Sequence, residues 1–379
     1  MPEPKLLMVT TVASTLRAFL LPYARYFAEK GWTVDALANG SGVIARGVFN
    51  HCYEASFSRN PLNFRNLKGT GKMIRDLVTE KGYDVVHVHT PVAAFVTRLA
   101  LRRLSPPRPK VVYTAHGFHF YKGGSYSRNT VIAALERLAG DWTDHTITIN
   151  KEDYEAALTL KIAPKERLSL LPGIGLDLER YSPAAVKDEA VEGFRADLNL
   201  KKEDELFLMV GEFIPRKRHE DALRALAGTG RRDFYLAFAG AGPLEDDMKV
   251  LAKRLGVESR AHFLGERDDV PLLMLASRAV VLPSSQEGLS RAVMEAICLG
   301  VPVLGANVRG IRELLTTPER GALVPVGKPA ALAAAMLLSV DAPHAAQPSP
   351  DPRWDIRGLL TEHEKIYSRL LWERNQESA

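Results

Sequence analysis

Short apolar runs alternate with amphipathic stretches along the whole chain, and that alternation leaves few folds open. In the first half, Leu6–Thr10, Thr33–Ala38, Val85–His89, Val111–Thr114 and Thr146–Ile149 read as strands. Helical patterns fit Arg17–Lys30, Leu67–Lys81, Ala93–Leu104, Asn129–Ala139 and Lys151–Leu160. Strands that are apolar on both faces belong in a parallel sheet covered by helices on both sides. Residues 181–205 lose this periodicity and gain charge, and read as a link. The second half repeats the design, with strands Leu206–Gly211, Tyr235–Gly240, Ala261–Leu264, Ala279–Leu282, Val301–Gly305 and Gly321–Val324. Helices fit Arg218–Ala227, Leu244–Leu255, Val270–Ala276, Ala292–Leu299 and Ala330–Leu338. Asp341–Pro352 reads as a loop and Ile356–Glu373 as a last helix.

A chain of 379 residues exceeds one ordinary core. The expected fold class is therefore α/β, with two Rossmann-like, doubly wound parallel-sheet domains. The domains are expected at 1–180 and 181–352, followed by a C-terminal helix in 353–379. Two such units imply a deep cleft, and ligands in such sheets sit beyond the carboxyl ends of the strands.

Charge and cysteine usage exclude other classes. The two cysteines, Cys52 and Cys298, are no disulfide framework or metal cluster, and fit a reducing, cytoplasmic setting. MPEPKLLMVTTV has no basic leader, and no run of about 18 apolar residues spans a membrane. Residues 1–180 carry 24 Lys+Arg against 16 Asp+Glu, or +8, and residues 181–379 carry 26 against 29, or −3, which sum to +5. The basic first half suits an anionic partner or surface, and equally a solvated basic face.

The most specific motif is Ser284-Ser285-Gln286-Glu287-Gly288-Leu289-Ser290-Arg291-Ala292-Val293-Met294-Glu295-Ala296. It follows a strand and opens a helix, so backbone N–H groups and the positive helix end point at an anion. Glu287 and Glu295 bracket it as acceptors for sugar hydroxyls, although a plain strand-to-helix connection reads the same way. Val210-Gly211-Glu212-Phe213-Ile214-Pro215-Arg216-Lys217 also ends a strand, and Arg216 and Lys217 suit a diphosphate as well as a solvated loop. Gly240-Ala241-Gly242-Pro243, His262–Arg267 and Gly305–Gly310 with Glu313 mark further strand ends. In the first half, His87 and His89 share a strand face, which permits a metal pair without an evident third ligand. His116 sits at a strand end, placed to meet a sugar or phosphate oxygen or simply to bond backbone. The chain has no Gly-x-Ser-x-Gly elbow, Walker loop or Asp-x-Asp pair. No metal, no cofactor and no nucleic-acid partner is expected.

Together these motifs resemble the retaining family 4 glycosyltransferases of GT-B fold. The resemblance runs from Gly211…Arg216-Lys217 through Gly240-x-Gly242-Pro243 and Leu264-Gly265-x-Arg267 to Glu287-Gly288-Leu289-Ser290 with Glu295. The first half agrees in His89-Thr90-Pro91, Tyr113-Thr114-Ala115-His116-Gly117-Phe118-His119, Ile149-Asn150-Lys151-Glu152-Asp153 and Pro172-Gly173-x-Gly175-x-Asp177. These look most like the bacterial branch that builds capsule, exopolysaccharide and O-antigen units.

The resemblance implies that the C-terminal helix in 353–379 crosses back to the first domain, and it implies a role for each residue. His116, Arg216, Lys217 and Glu287 would act at the reacting centre. Gly211, Gly242, Arg267, Gly288, Leu289, Ser290 and Glu295 would hold the donor nucleotide, with Glu295 on the ribose and the base near Arg267. Thr15, Arg17, His89 and His119 would face the acceptor. Two departures stand out: Glu212 where many relatives have Arg, and Thr10–Thr15 where many have a Gly-Gly loop. The implied partners are a nucleotide diphosphate sugar, UDP-linked rather than GDP-linked, and a glycan or lipid-linked acceptor. Arg98, Arg102, Arg103, Arg108 and Lys110, with Leu99, Leu101 and Leu104, are expected to form a basic, apolar patch for an anionic membrane, placing the protein peripherally on the inner face. Two other classes share this architecture: UDP-sugar epimerases, for which the first half lacks the acid/base carboxylates, and non-catalytic nucleotide-sugar binders.

Overall fold

The computed structural model describes residues 3–377 except 44–46, 58–62, 64–68, 122, 342–347 and 349. The start of the expected helix Leu67–Lys81 and most of the expected loop Asp341–Pro352 lie outside these residues. The chain divides into two compact units, Met1–Ile174 with Arg357–Ala379, and Gly175–Ile356. The division falls after Ile174 rather than after residue 180. Gly175 and Leu176 run beside Asp355 and Ile356: Leu176 bridges Asp355, and Ile356 N donates to Leu176 O at 2.9 Å.

The first unit holds a seven-stranded parallel sheet. Its strands are β1 (Lys5–Val12), β2 (Thr33–Asn39), β3 (Cys52–Glu54), β4 (Val85–Val88), β5 (Lys110–Ala115), β6 (His145–Thr148) and β7 (Leu168–Leu170), in the order β3-β2-β1-β4-β5-β6-β7. The second unit holds a six-stranded parallel sheet of β8 (Glu205–Val210), β9 (Phe234–Ala239), β10 (Ala261–Phe263), β11 (Ala279–Leu282), β12 (Val303–Ala306) and β13 (Gly321–Val324), in the order β10-β9-β8-β11-β12-β13. The central strands are buried on both faces, as their unbroken apolar sequences require. Edge strands β3 and β7, three residues each, are absent from the sequence reading.

Three expectations are corrected. Residues 181–205 are not only a link: Asp188–Asp197 is a helix whose Phe194 is buried in the second unit's core. Val191, Phe194 and Leu198 recur at helical spacing, hidden by surrounding charge. The segment Thr10–Thr15 is no open loop. β1 runs to Val12, a helical turn spans Ala13–Thr15, and a π turn spans Leu16–Leu20 before the helix Leu21–Glu29. Pro22 has no N–H for a regular ladder, which accounts for the wider turn there.

The basic patch is the third. Arg98, Leu101 and Lys110 are buried, and Arg108 is paired with Asp144 at 2.7 Å. Arg98 has 0% exposure. It donates to Glu136 Oε2 at 2.9 Å and stacks 4.2 Å from the Tyr113 ring. The helix Pro91–Leu101 is covered on the face that carries Arg98, so a sequence cluster is split between core and surface. Arg102 and Arg103 remain exposed. Among the described residues no helix is long and apolar enough to cross a membrane.

The last helix, Ile356–Glu377, packs on the first unit. Tyr26 donates to Glu364 Oε2 at 2.5 Å, and the rings of Tyr23 and His363 meet edge to face at 4.9 Å.

Candidate functional site

In the second unit the strand order reverses between β8 and β11. Such a switch point opens a crevice at the carboxyl ends of the two strands. The segments leaving there carry Gly211–Lys217 and Pro283–Ser290. The Lys217 stem lies over Gly211, where a Cβ would stand 3.4 Å from Lys217 Cε. Lys217 Nζ donates to Glu287 Oε1 at 2.7 Å. Arg216 Nη1 lies 3.7 Å from Glu287 Oε2 and donates to Gln286 O at 3.5 Å. Ser285 N donates to Arg216 O at 2.8 Å and ties the two loops together.

Glu287 is 8% exposed. Burial alone would raise its carboxyl, but Lys217 and then Arg216 outweigh that and hold it below its usual range. A third segment fixes the loop from behind. Ser290 N donates to Gly310 O at 3.2 Å, and Arg309 Nε to Glu287 O at 3.4 Å. A Cβ on Gly310 would stand 2.3 Å from Gly288 O, so only glycine fits. The helix Arg291–Leu299 then begins. Ser290 makes no side-chain cap bond there, and the positive helix end adds to the field of Lys217 and Arg216. Glu295 is buried one turn on and accepts from Arg291 Nε at 2.7 Å. Tyr181 lies beside it; burial first, then Glu295, push its hydroxyl above the ordinary range.

Lys217, Arg216 and Glu287 are thus joined directly, with Gly211 beneath Lys217 and Gly288, Leu289 and Ser290 following Glu287 into the helix, whereas Glu295 meets Arg291 and Tyr181. Arg267 stands apart: its Nε donates to Asp269 Oδ1 at 2.8 Å, and its guanidinium lies 5.9 Å from the Phe194 ring. Gly242 is explained by packing, because a Cβ there would stand 2.6 Å from Phe213 N. Arg291 was within reach of the sequence, being four residues from Glu295 on one helix. Tyr181 was not, because no local spacing links it to residue 295.

In the first unit the order reverses between β1 and β4. Thr11 N and Oγ1 each lie 2.7 Å from Thr90 Oγ1 and join the two strand ends. His89 follows β4 and is buried, with Nδ1 3.2 Å from His116 Nε2 at the end of β5. Burial lowers His116 to about 4 and His89 well below its ordinary value, so both rings are neutral near pH 7. His89 is therefore an inward partner of His116, while Arg17 and His119 are exposed and Thr15 is half-buried. The ring centroids of His87 and His89 are 4.0 Å apart. His87 is committed to Thr114 Oγ1 at 2.8 Å and to the Tyr367 hydroxyl. Among the described residues no group of three or more His, Cys, Asp or Glu is placed to hold a metal ion.

Comparison with known proteins bears on what these surfaces do. The family described as Glycosyltransferase Family 4 matches residues 19–180, and that described as Glycosyl transferases group 1 matches residues 191–347. The chain is 31% identical to the putative glycosyltransferase EpsD of Bacillus subtilis strain 168, covering 87% of this chain and 85% of that one. It is also 31% identical to the Escherichia coli UDP-Gal:alpha-D-GlcNAc-diphosphoundecaprenol alpha-1,3-galactosyltransferase, covering 70% and 68%. Among solved structures, Anabaena Alr3699/HepE in complex with UDP superposes with a TM-score of 0.75 at 19% identity, over 97% of this chain and 100% of that one.

Proposed function

This chain belongs to the family 4 glycosyltransferases and has their GT-B fold, and from that premise we propose a specific reaction. It moves a hexose or N-acetylhexosamine from a UDP-sugar to a hydroxyl of a lipid-diphosphate-linked glycan, with retention at the anomeric carbon, in surface polysaccharide synthesis. Its relative of similar identity is named for UDP-galactose and a diphosphoundecaprenol acceptor, and the Anabaena neighbour was solved with UDP.

The observation that carries this reading is the Lys217–Glu287 pair, with Arg216 beside it, at the β8/β11 switch point. One of the three Lys217 N–H donors is committed to Glu287, which leaves two for diphosphate oxygens. Glu287 keeps acceptor capacity for hydroxyls of the donor sugar. Lys217, Arg216 and Glu287 together carry a net single positive charge, to which the helix start adds its partial charge. This charge meets the departing diphosphate without a metal ion. Glu295 accepts from the ribose hydroxyls. The acceptor hydroxyl attacks on the face from which UDP leaves, and a donor phosphate oxygen takes its proton. Catalysis then rests on charge stabilisation and positioning.

The test is a panel of UDP- and GDP-sugars incubated with a lipid-diphosphate sugar, scored by nucleotide release and by mass spectrometry of the product. A product one sugar heavier, with UDP released, supports the reading. An epimerised sugar, or release of GDP alone, contradicts it.

A further inference from the structure

His89 carries an unmet bond inside the first unit. Its Nδ1 lies 3.2 Å from His116 Nε2, while its Nε2 is buried without a partner. His89 lines a cavity of about 10 Å³ with Tyr23, Thr114, His116 and His363, the room of about one water molecule.

The protons around that cavity follow from its neighbours. His363 Nδ1 donates to Leu359 O at 2.8 Å, so its Nε2 is an acceptor. Tyr23 donates to Ile174 O at 3.2 Å, so its oxygen offers lone pairs only. The buried Tyr367 hydroxyl meets His87 Nδ1 and, among the described residues, no other partner, and a buried hydroxyl proton needs an acceptor, so Tyr367 donates to that nitrogen. His87 then carries its proton on Nε2 and donates to Thr114 Oγ1 at 2.8 Å, which leaves the Thr114 proton available. Of the side chains lining the cavity, His116 is engaged with His89, and the others offer one donor, Thr114, and two acceptors, His363 and Tyr23, before His89 is counted. A water gives two hydrogen bonds and takes two. With its proton on Nε2, His89 is the second donor and the water is matched. With its proton on Nδ1, His89 adds a third acceptor, and one buried acceptor goes unmet.

We propose that His89 is a positioning residue for His116. Its Nε2–H is held by one water in the cavity, and its Nδ1 accepts from His116 Nε2–H. His116 is thereby fixed with a bare Nδ1, an acceptor for a ligand hydroxyl rather than a donor to a ligand oxygen. The ligand role of His116 rests on the glycosyltransferase reading above; the tautomer does not.

The experiment is a two-bond ¹H–¹⁵N correlation spectrum of the full-length protein labelled at histidine, near pH 7, with His116 assigned by its loss in His116→Gln. A proton on His116 Nε2 is expected, and a proton on Nδ1 overturns the proposal. His89→Ala should leave His116 as a mixture of tautomers, and an unchanged His116 spectrum also overturns it. His89→Asn can offer an amide oxygen near the position of Nδ1 and should restore the wild-type tautomer even if the alanine variant folds poorly. In turnover assays His89→Ala should lower kcat on the order of tenfold, the worth of about one hydrogen bond. KM should be little changed, and His89→Asn should recover most of the loss. A crystal structure with that cavity dry would overturn the proposal, and one with a water within hydrogen-bond distance of His89 Nε2 would support it.

Discussion

Lys217 Nζ lies 2.7 Å from Glu287 Oε1, with side-chain exposures of 12% and 9%. The pair joins the two loops of the switch point, so neither residue is purely catalytic in its effect. Lys217→Ala leaves a buried carboxylate with only Arg216 at 3.7 Å. Breaking one side of a buried pair is costly, and we expect about 3 kcal/mol of lost stability. The double variant Lys217→Met with Glu287→Leu should recover most of it. Urea unfolding of wild type and the two variants checks this, and a Lys217→Ala variant as stable as wild type would contradict the pairing.

Gly310→Ala tests the support behind the loop. Its Cβ would sit 2.3 Å from Gly288 O, and backbone must move. Overpacking of this kind costs about 1–3 kcal/mol, and the displaced Gly288–Ser290 loop should bind UDP more weakly. Calorimetry of UDP binding to the folded variant decides; wild-type affinity would show that the loop does not hold the diphosphate.

Arg98→Ala should be a folding variant, not a membrane variant. It strands the buried Glu136, which also accepts from Tyr113 at 3.2 Å. The expected loss is about 3–5 kcal/mol, and Arg98→Met with Glu136→Leu should be far milder. Equal thermal stability of Arg98→Ala and wild type would refute this.

Acid should weaken the first unit before it protonates most carboxylates. Burial lowers His116, His145 and His363 from 6.5 to about 4, and His87 and His89 well below their usual value. Between those limits the unfolded chain binds protons that the folded unit refuses. Stability is therefore complete above about pH 6.5 and falls toward pH 4, by about 1.4 kcal/mol per pH unit for each histidine once the unfolded form is charged. Glu287 acts lower: its depressed carboxyl contributes above the ordinary carboxylate range, and that contribution is lost as pH falls through the folded value. Urea midpoints at pH 7 and pH 5 should differ clearly, and equal midpoints would contradict the buried neutral cluster.

Much of this was legible because strands such as Val85–Val88 and Ala279–Leu282 are apolar throughout and parallel sheets need that. Glu287, Arg216 and Lys217 were legible because the motifs place them at strand ends, and Glu295 because it falls on the helix that follows. The pairing of His89 with His116 was not, since it links two strands across the sheet. The burial of Arg98 was hidden because charge marks a surface residue unless its partner, Glu136, is known. The helix Asp188–Asp197 was obscured because only Phe194 is fully enclosed in an acidic segment.

The central claim is that Lys217, oriented by Glu287, grips the diphosphate end of a nucleotide sugar. Acceptor-dependent UDP release, measured for wild type and for folded Lys217→Ala at saturating donor, tests it most directly. The account predicts a loss of turnover on the order of 10²-fold in the variant, the usual cost of removing one preorganised charge at a leaving group. Turnover at the wild-type level would contradict it.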